Sequence, residues 1–147
     1  MHDRLSMLDA SLLELESPTV PLHTGGLGVF APGLTFADVH ETLSARLDEI
    51  PLARQVVQPV PLGTGRPVWV DDNHFDLSYH LRHSALPPPG DADALAEVVS
   101  RLFARPLDRS RPLWELYVIE GLEGGRTALF RKVHLVMVSG DAGDPFS

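Results

Sequence analysis

The last part of the chain holds the residues best suited to do chemistry. Residues 132–140 read KVHLVMVSG, an apolar run that contains a single histidine, His134, and ends in a Ser-Gly turn. Imidazole suits general acid–base catalysis because its ordinary pKa lies near neutral pH. A lone histidine in an apolar strand is more often a hydrogen-bonded core residue, so the role of His134 depends on the residues around it.

A second group of polar residues has the types that could hold a metal ion. It consists of His74, Asp76, His80 and His83. A zinc site needs three or four ligands that converge on one point. If this segment is a strand, His80 and His83 point to opposite faces. We therefore predict a surface or hydrogen-bonded role for these residues and no metal site.

Other catalytic patterns are missing from the sequence. The glycine-rich segment 121–125 lacks the Lys-Ser/Thr pair of a phosphate-binding loop, so we interpret it as a tight turn between two strands. There is no Gly-x-Ser-x-Gly motif, which excludes the nucleophile elbow of the α/β-hydrolases as a local pattern. The chain has no cysteine, and so it has neither a thiolate nucleophile nor a disulfide.

Charge and hydropathy exclude further classes of partner. The 147 residues include 12 basic and 20 acidic side chains, for a net charge of -8. This balance repels phosphate backbones, so we expect no nucleic-acid partner. No apolar run approaches the roughly 18 residues of a membrane-spanning helix, and the first residues lack the apolar core of a signal peptide. We expect a cytoplasmic protein.

Hydrophobic periodicity predicts short helices and strands in alternation. The predicted helices are Ser6–Glu16 with an apolar face of Leu8, Leu12 and Leu15, a helix that Thr35 caps and Pro51 ends, and a helix between Asp91 and Pro106. The predicted strands are Leu22–Phe30, Arg54–Val60, Pro67–Val70, Leu77–Leu86, Leu113–Ile119 and Thr127–Val133. Gly25, Gly26 and Gly28 predict a bulge or a close backbone approach in the first strand. The order indicates an α+β fold, a mixed sheet with flanking helices near 36–49 and 92–104.

Stretches that match one known family follow each other along almost the whole chain. They are Leu5–Leu13, His23–Leu27, Trp69–Asp72, Phe75–Arg82, Leu86–Gly90, Pro106–Glu115, Glu120–Arg126 and Lys132–His134. With these stretches the chain resembles the bacterial wax ester synthase/acyl-CoA:diacylglycerol acyltransferase family, whose marker motif it carries as Pro112-Leu113-Trp114. The resemblance implies the N-terminal half of a chloramphenicol-acetyltransferase-like, coenzyme-A-dependent acyltransferase fold.

The resemblance also implies where catalysis would take place. The signature of these acyltransferases is His-His-x-x-x-Asp-Gly. Its second histidine takes the proton of an acceptor hydroxyl, which attacks the acyl-CoA thioester, and its aspartate holds the loop. In this register His134 matches the first histidine only and Gly140 matches the turn, while Leu135 replaces the base and Ser139 replaces the aspartate. Pro112, Leu113 and Trp114 are implied to shape the region near the site.

The substrates implied by the resemblance are acyl-CoA and a lipid alcohol such as diacylglycerol, with no metal or other cofactor. The product would be triacylglycerol or a wax ester. Family members are several times longer and close the acyl-CoA tunnel with a second domain. We therefore expect residues 1–147 to form a partial N-terminal acyltransferase domain that ends just after the altered signature.

Whether this chain is itself an enzyme stays open at this point. Without the imidazole of the base, we expect it to be truncated and inactive alone. The alternatives are a non-catalytic relic or interaction module derived from the family and, less well supported by the motifs, a condensation-type domain of the same superfamily. The open edges of a half-fold predict self-association. Contact with membranes or lipid inclusions is consistent with the substrate class.

Overall fold

A four-stranded mixed sheet forms the centre of the computed structural model, which describes residues 4–63 and 65–138. The strands in chain order are β1 (His23–Phe30), β2 (Gln55–Gln58), β3 (Val68–Asp71), β4 (Leu81–Ala85), β5 (Trp114–Glu120) and β6 (Thr127–His134). The large sheet has the order β1-β6-β5-β4, in which only the β4–β5 pair is parallel. Strands β2 and β3 form a separate antiparallel pair. The prediction of an α+β fold with a mixed sheet is confirmed.

Five helical segments accompany the strands. They are α1 (Met7–Leu15), α2 (Phe36–Leu47), α3 (Leu77–His80), α4 (Ala92–Ala104) and α5 (Leu135–Val138). Single 3-10 turns lie at Pro51–Arg54, Pro61–Gly63 and Glu123–Gly125, and the last of these joins β5 to β6 as predicted. Among the described residues, no helix combines the length and the apolar character that crossing a membrane requires.

Helix α2 covers one face of the large sheet. It begins with a capping box, in which the Asp38 N–H donates to Thr35 Oγ1 and the Thr35 N–H donates to Asp38 Oδ2, both at 3.1 Å. Its buried residues, Val39, Leu43 and Leu47, belong to the same hydrophobic cluster as Trp114, Val118 and Val133. The cap and the apolar stripe are both as predicted from the sequence.

Helix α4 covers the opposite face. Asp91 caps it by accepting the Ala94 N–H at 2.9 Å. Its Leu95 lies in a second hydrophobic cluster together with Tyr117, Ile119 and Phe130. Neighbouring residues of a strand point to opposite faces, so a single strand, β5, supplies the core residues for both helices. The two flanking helices are confirmed.

The predicted apolar face of α1 is wrong. Leu8 and Leu15 are 63% and 70% exposed, whereas Leu13 is buried. Leu12 is partly buried against the same core. The helix has little more than two turns, and three leucines at helical spacing cannot select between two neighbouring faces over so short a length.

The strand predicted over Leu77–Leu86 is wrong in its first half. Asp76 accepts the backbone N–H of Ser78 at 3.0 Å and its hydroxyl at 2.7 Å, and this local capping starts the helical turn α3. Only Leu81–Ala85 is extended. Side-chain capping by an aspartate competes with strand formation, and this effect outweighed the alternation of apolar residues.

The glycines of β1 produce no bulge, because the register with β6 is unbroken from His23↔His134 to Phe30↔Thr127. They allow close approach instead. A Cβ atom on Gly25 would lie 2.9 Å from Phe130 Cε1, and one on Gly26 would lie 2.8 Å from Arg131 Nε. The close approach is confirmed and the bulge is wrong.

A matched pair of glycine substitutions tests the packing of the loop before α4. Gly90 and Gly124 have φ values of +67° and +75°, but only at Gly90 would a Cβ meet backbone, 1.8 Å from the Gly121 carbonyl oxygen. We expect Gly124→Ala to lower the free energy of unfolding by about 1–2 kcal/mol, the cost of a left-handed conformation. Gly90→Ala should cost several kcal/mol more in urea denaturation. Equal losses of unfolding free energy in the two variants would show that the loop at Gly90 does not contact the loop at Gly121 as described.

Candidate functional site

The candidate site lies where β6 ends beside α1. His134, the last residue of β6, is 1% exposed. Its Nε2 lies 3.0 Å from Glu16 Oε1, without the alignment of a linear hydrogen bond, so the contact is chiefly electrostatic. Its Nδ1 accepts the backbone N–H of Val136 at 3.2 Å. An imidazole nitrogen that accepts a hydrogen bond carries no proton, so neutral His134 is protonated on Nε2, on the side of Glu16.

Glu16 connects several segments of the chain. Its Oε2 accepts the Leu22 N–H at 2.7 Å, and its Oε1 accepts Arg109 Nη2 at 2.8 Å. The same Arg109 nitrogen donates to the Leu13 carbonyl at 2.5 Å. The carboxylate therefore fastens α1 to the loop before β1, to the segment before β5 and to the end of β6. We call Glu16, Arg109 and His134 the charged clamp.

The pKa values of the charged clamp favour a carboxylate beside a neutral imidazole. Burial has the largest influence on the pKa of Glu16 and raises it, but the hydrogen bonds from Leu22 and Arg109 and the proximity of His134 together hold it below its ordinary value. Burial has the largest influence on the pKa of His134 and lowers it. Glu16 raises this pKa, Arg109 and His23 lower it, and the net pKa is below the ordinary value. At neutral pH the ring therefore holds one proton, which is directed towards Glu16.

Leu135 occupies the next position along the chain. Its N–H donates to the Leu22 carbonyl at 2.9 Å, so the pairing of β6 with β1 continues one residue beyond His134. Leu135 is also the first residue of α5, so the alternation of the strand ends at His134. In the register predicted from the sequence, Leu135 holds the position of the base of the family signature. Ser139 and Gly140, the other two signature positions, lie outside the described residues.

The Pro112-Leu113-Trp114 motif lies directly beside His134. All three residues are fully buried, and the Leu113 carbonyl accepts the His134 N–H at 3.0 Å. Trp114 Nε1 donates to the Ala53 carbonyl at 2.8 Å. The motif joins the end of β6 to the turn that follows α2, and its role in shaping the site stays a prediction.

The predicted hydrogen-bonded roles of two further histidines are confirmed. His80 lies on α3, not on a strand, and its Nδ1 is 2.6 Å from the Trp114 carbonyl oxygen, with its ring stacked on Trp114. His83 Nε2 lies 2.8 Å from Glu120 Oε2. Within the described part of the chain, no three His, Cys, Asp or Glu side chains are grouped to hold a metal ion.

Sequence reasoning missed two members of the charged clamp. Glu16 and Arg109 were part of no motif with His134, since their contact joins residues 93 positions apart.

The buried environment of Lys132 was missed as well. Lys132 Nζ donates to the carbonyls of Leu102, at 2.8 Å, and Arg105, and it lies 3.8 Å from Glu115 Oε1. It thereby satisfies carbonyl groups at the end of α4.

Known proteins similar to this chain share one description. The family model for the wax ester synthase/diacylglycerol acyltransferase catalytic domain matches residues 5–144. The relative from Mycobacterium tuberculosis named "Probable diacyglycerol O-acyltransferase tgs3" is 49% identical over 143 residues, which cover 95% of this chain and 53% of that protein. The relative from the same organism named "Probable diacyglycerol O-acyltransferase tgs2" is 41% identical over 137 residues, which cover 90% of this chain and 30% of that protein. The chain thus spans about half the length of the first of these relatives.

Solved structures agree with this description. The wax ester synthase/diacylglycerol acyltransferase from Marinobacter aquaeolei VT8 superposes with a TM-score of 0.76 at 35% identity, covering 93% of this chain and 35% of that one. The tallysomycin biosynthesis protein TlmII superposes with a TM-score of 0.71 at 20% identity, covering 91% of this chain and 33% of that one, and shows a shared fold. The starter condensation domain of rhizomide synthetase, at 14% identity, likewise shows the fold alone.

Replacing Glu16 tests the charged clamp. Glu16→Gln keeps the shape of the side chain and removes its charge, which weakens the hydrogen bonds from Leu22 and Arg109. Because Arg109 is 46% exposed, the free energy of unfolding at pH 7 should fall by about 1–2 kcal/mol. Glu14→Gln, at an exposed carboxylate on the same helix, should change it by less than about 0.5 kcal/mol.

The same variants have a defined pH dependence. Folding lowers the pKa of Glu16, so its contribution to stability is present above the ordinary carboxyl pKa and is lost as the pH falls through the lower pKa of the folded state. Urea denaturation of wild type and Glu16→Gln should therefore differ most near neutral pH and converge in acid. A difference that stays constant or grows in acid would contradict the charged clamp.

Proposed function

The chain belongs to the wax ester synthase/diacylglycerol acyltransferase family, and from this membership we propose that its site is derived from one for acyl-CoA-dependent O-acylation of a lipid alcohol such as diacylglycerol. We further propose that the chain does not catalyse this transfer, because Leu135 takes the place of the general base. The substrate class also favours contact with membranes or lipid inclusions.

The proposed reaction depends on a proton acceptor. The alcohol oxygen bonds to the thioester carbonyl carbon, the carbon–sulfur bond breaks, and the coenzyme A thiolate leaves. The proton of the alcohol must pass to a base and from there to the departing sulfur. General-base catalysis is typically worth about 10²–10⁴-fold in rate. Leu135 has no atom that can accept this proton.

The observation that carries the proposal is the orientation of His134, which cannot replace the missing base. Its Nδ1 already accepts the Val136 N–H, and its Nε2 bears the proton beside Glu16. The ring is 1% exposed, so an alcohol cannot reach either nitrogen without local rearrangement. Its burial also lowers its pKa, which weakens it as a base.

An interaction module is the second candidate, and β1 supports it. This strand is at the edge of the large sheet, and no residue from His23 to Phe30 is a lysine, arginine, aspartate or glutamate. Leu27, Val29 and Phe30 are 48%, 45% and 44% exposed. Edge strands are commonly protected by charges, prolines or bulges, and β1 has none of these. Self-association through β1 would fit this surface.

Acyl transfer by the purified chain tests the proposal. We expect no transfer from radiolabelled hexadecanoyl-CoA to diacylglycerol or hexadecanol above a buffer control, with a full-length relative as the positive control. Leu135→His combined with Ser139→Asp restores the signature residues. We expect residues 1–147 with both substitutions to be inactive too, because they cover 35% of the solved relative.

The possible outcomes separate the two candidates. Turnover by the wild type would show that His134 or another group serves as the base, and the proposal would be wrong. Turnover by the doubly substituted chain alone would confirm Leu135 as the base position but show that the chain builds a complete site. Inactivity together with concentration-dependent dimers in sedimentation would favour the interaction module.

A further inference from the structure

Arginine side chains gather at the β4 edge of the large sheet, on the side that α4 covers. The chain as a whole has a net charge of -8, yet residues 101–111 read RLFARPLDRSR, with four arginines and one aspartate. Arg82 on β4 is paired with Tyr117 on β5, which belongs to the hydrophobic cluster under α4. Paired residues of neighbouring strands share a face, so Arg82 points to the side of α4. Positive charge is therefore concentrated locally in an acidic protein.

Tyrosines and a main-chain carbonyl hold two of these arginines in place. Arg82 Nε donates to the Tyr79 carbonyl at 2.7 Å, and its Cζ lies 6.0 Å from the centre of the Tyr117 ring. Arg105 Nη2 donates to the Tyr117 hydroxyl at 3.2 Å, and that hydroxyl donates to Glu115 Oε1 at 2.6 Å. A guanidinium group has five N–H donors. Each of these contacts uses one of them, which leaves further donors for an acceptor from outside the chain.

The main chain at Arg105 is fixed as well as its side chain. The fully buried Lys132 donates through Nζ to the carbonyls of Leu102, at 2.8 Å, and Arg105. The last carbonyls of a helix carry partial negative charge, which would repel an anion, and the hydrogen bonds from Lys132 offset it. Arg105 is thus held in position before a ligand arrives, which reduces the entropic cost of binding.

A groove of about 440 Å³ opens between β4 and α4 beside these arginines. This volume is within the range of small-molecule sites. The polar residues that line the groove are Ser84, Arg101 and Arg105, and no acidic residue lines it within the described part of the chain. Ser84 lies on the same side of β4 as Arg82, because alternate residues of a strand share a face. The groove therefore favours an anion.

The chemistry of the lining narrows the class of anion. Guanidinium groups bind phosphoryl oxygens through paired, charge-assisted hydrogen bonds, and a serine hydroxyl can donate one more. The groove is also lined by Pro87, Val98 and Leu102, which give it an apolar part. A ligand that matches both parts carries a phosphoryl group on a compact apolar body.

We propose that the groove between β4 and α4 binds a phosphate monoester, with its phosphoryl group against Arg101, Arg105 and Ser84 and its organic part on the apolar lining. Arg82 adds positive potential from the same side of the sheet. The site lies at the edge of the sheet opposite to β1, and it is a binding function separate from the proposed acyl transfer. The phosphoryl group can come from a soluble ester or from a lipid headgroup.

Calorimetric titration of the whole chain at neutral pH tests this site with phenyl phosphate and inorganic phosphate. Phenyl phosphate should bind about tenfold more tightly, because its ring is buried on the apolar lining. Ser84→Ala combined with Arg101→Gln should weaken phenyl phosphate binding by about tenfold or more, since both changes remove donors to the phosphoryl group. Arg126→Gln removes an exposed arginine that does not line the groove, and it should leave the affinity unchanged. Thermal melts establish that the variants are folded.

Sedimentation with vesicles separates the two sources of the phosphoryl group. The vesicles consist of phosphatidylcholine with or without phosphatidate, whose headgroup is a phosphate monoester. Binding that requires phosphatidate, and that the Ser84→Ala, Arg101→Gln chain loses, would assign the site to a lipid headgroup. Titration of phenyl phosphate without binding to these vesicles would assign it to soluble esters.

Three results would overturn the proposal. The first is that neither phenyl phosphate nor the phosphatidate vesicles bind. The second is that the Ser84→Ala, Arg101→Gln chain binds as tightly as the wild type, or that Arg126→Gln weakens binding as much, since the anion would then be held by general attraction. The third is that phenyl phosphate binds no more tightly than inorganic phosphate while the vesicles do not bind, because the apolar part of the groove would then hold nothing.

Discussion

The contact of Glu16 with Arg109 and His134 is the constraint on which the site depends. These residues are far apart in the sequence, and their contact requires α1, the segment before β5 and the end of β6 to meet at one point. Glu16 is 12% exposed, so separation of these segments would leave its carboxylate without the partners that offset its partial burial. The clamp also fixes the direction in which the His134 ring points.

Family membership and local geometry therefore lead to different statements about chemistry. The similarity covers residues 5–144 and identifies the scaffold as that of acyl-CoA-dependent acyltransferases. Function resides in particular groups placed on a scaffold, however, and in the predicted register the two signature positions after Val133 hold one histidine, His134, and one leucine, Leu135. His134 contacts Glu16 and the Val136 N–H inside the fold, while Leu135 begins helix α5. We propose that the chain has kept the fold of the family and lacks the proton acceptor of the reaction.

Local patterns in the sequence were sufficient for much of the fold. Thr35 and Asp38 form the capping box that their spacing predicts, and Asp91 caps α4. The predictions failed where a side chain acted on the backbone or where distant segments met. Asp76 turned a predicted strand into α3, and packing selected a different face of α1.

The site was predictable only in part. His134 and Pro112-Leu113-Trp114 lie together, as their place in the family motifs implied, because the Leu113 carbonyl accepts the His134 N–H. The role of Glu16 had no local signal, since a pairing across 93 residues leaves no periodicity or spacing to read. A groove between α2 and the half of the sheet formed by β1 and β6 was equally hidden, because it depends on the missing side chains of Gly26 and Gly28 opposite a helix from another part of the chain.

The protonation state of His134 tests the charged clamp most directly. Long-range proton–nitrogen correlation spectra of the ¹⁵N-labelled chain at pH 7, assigned with His134→Gln, distinguish the two neutral tautomers and the cation. The contacts of the ring predict a neutral imidazole with its proton on Nε2, because Nδ1 accepts the Val136 N–H. A ring protonated on Nδ1 would contradict that contact and leave His134 able to accept a proton at Nε2. A doubly protonated ring would contradict the lowered pKa.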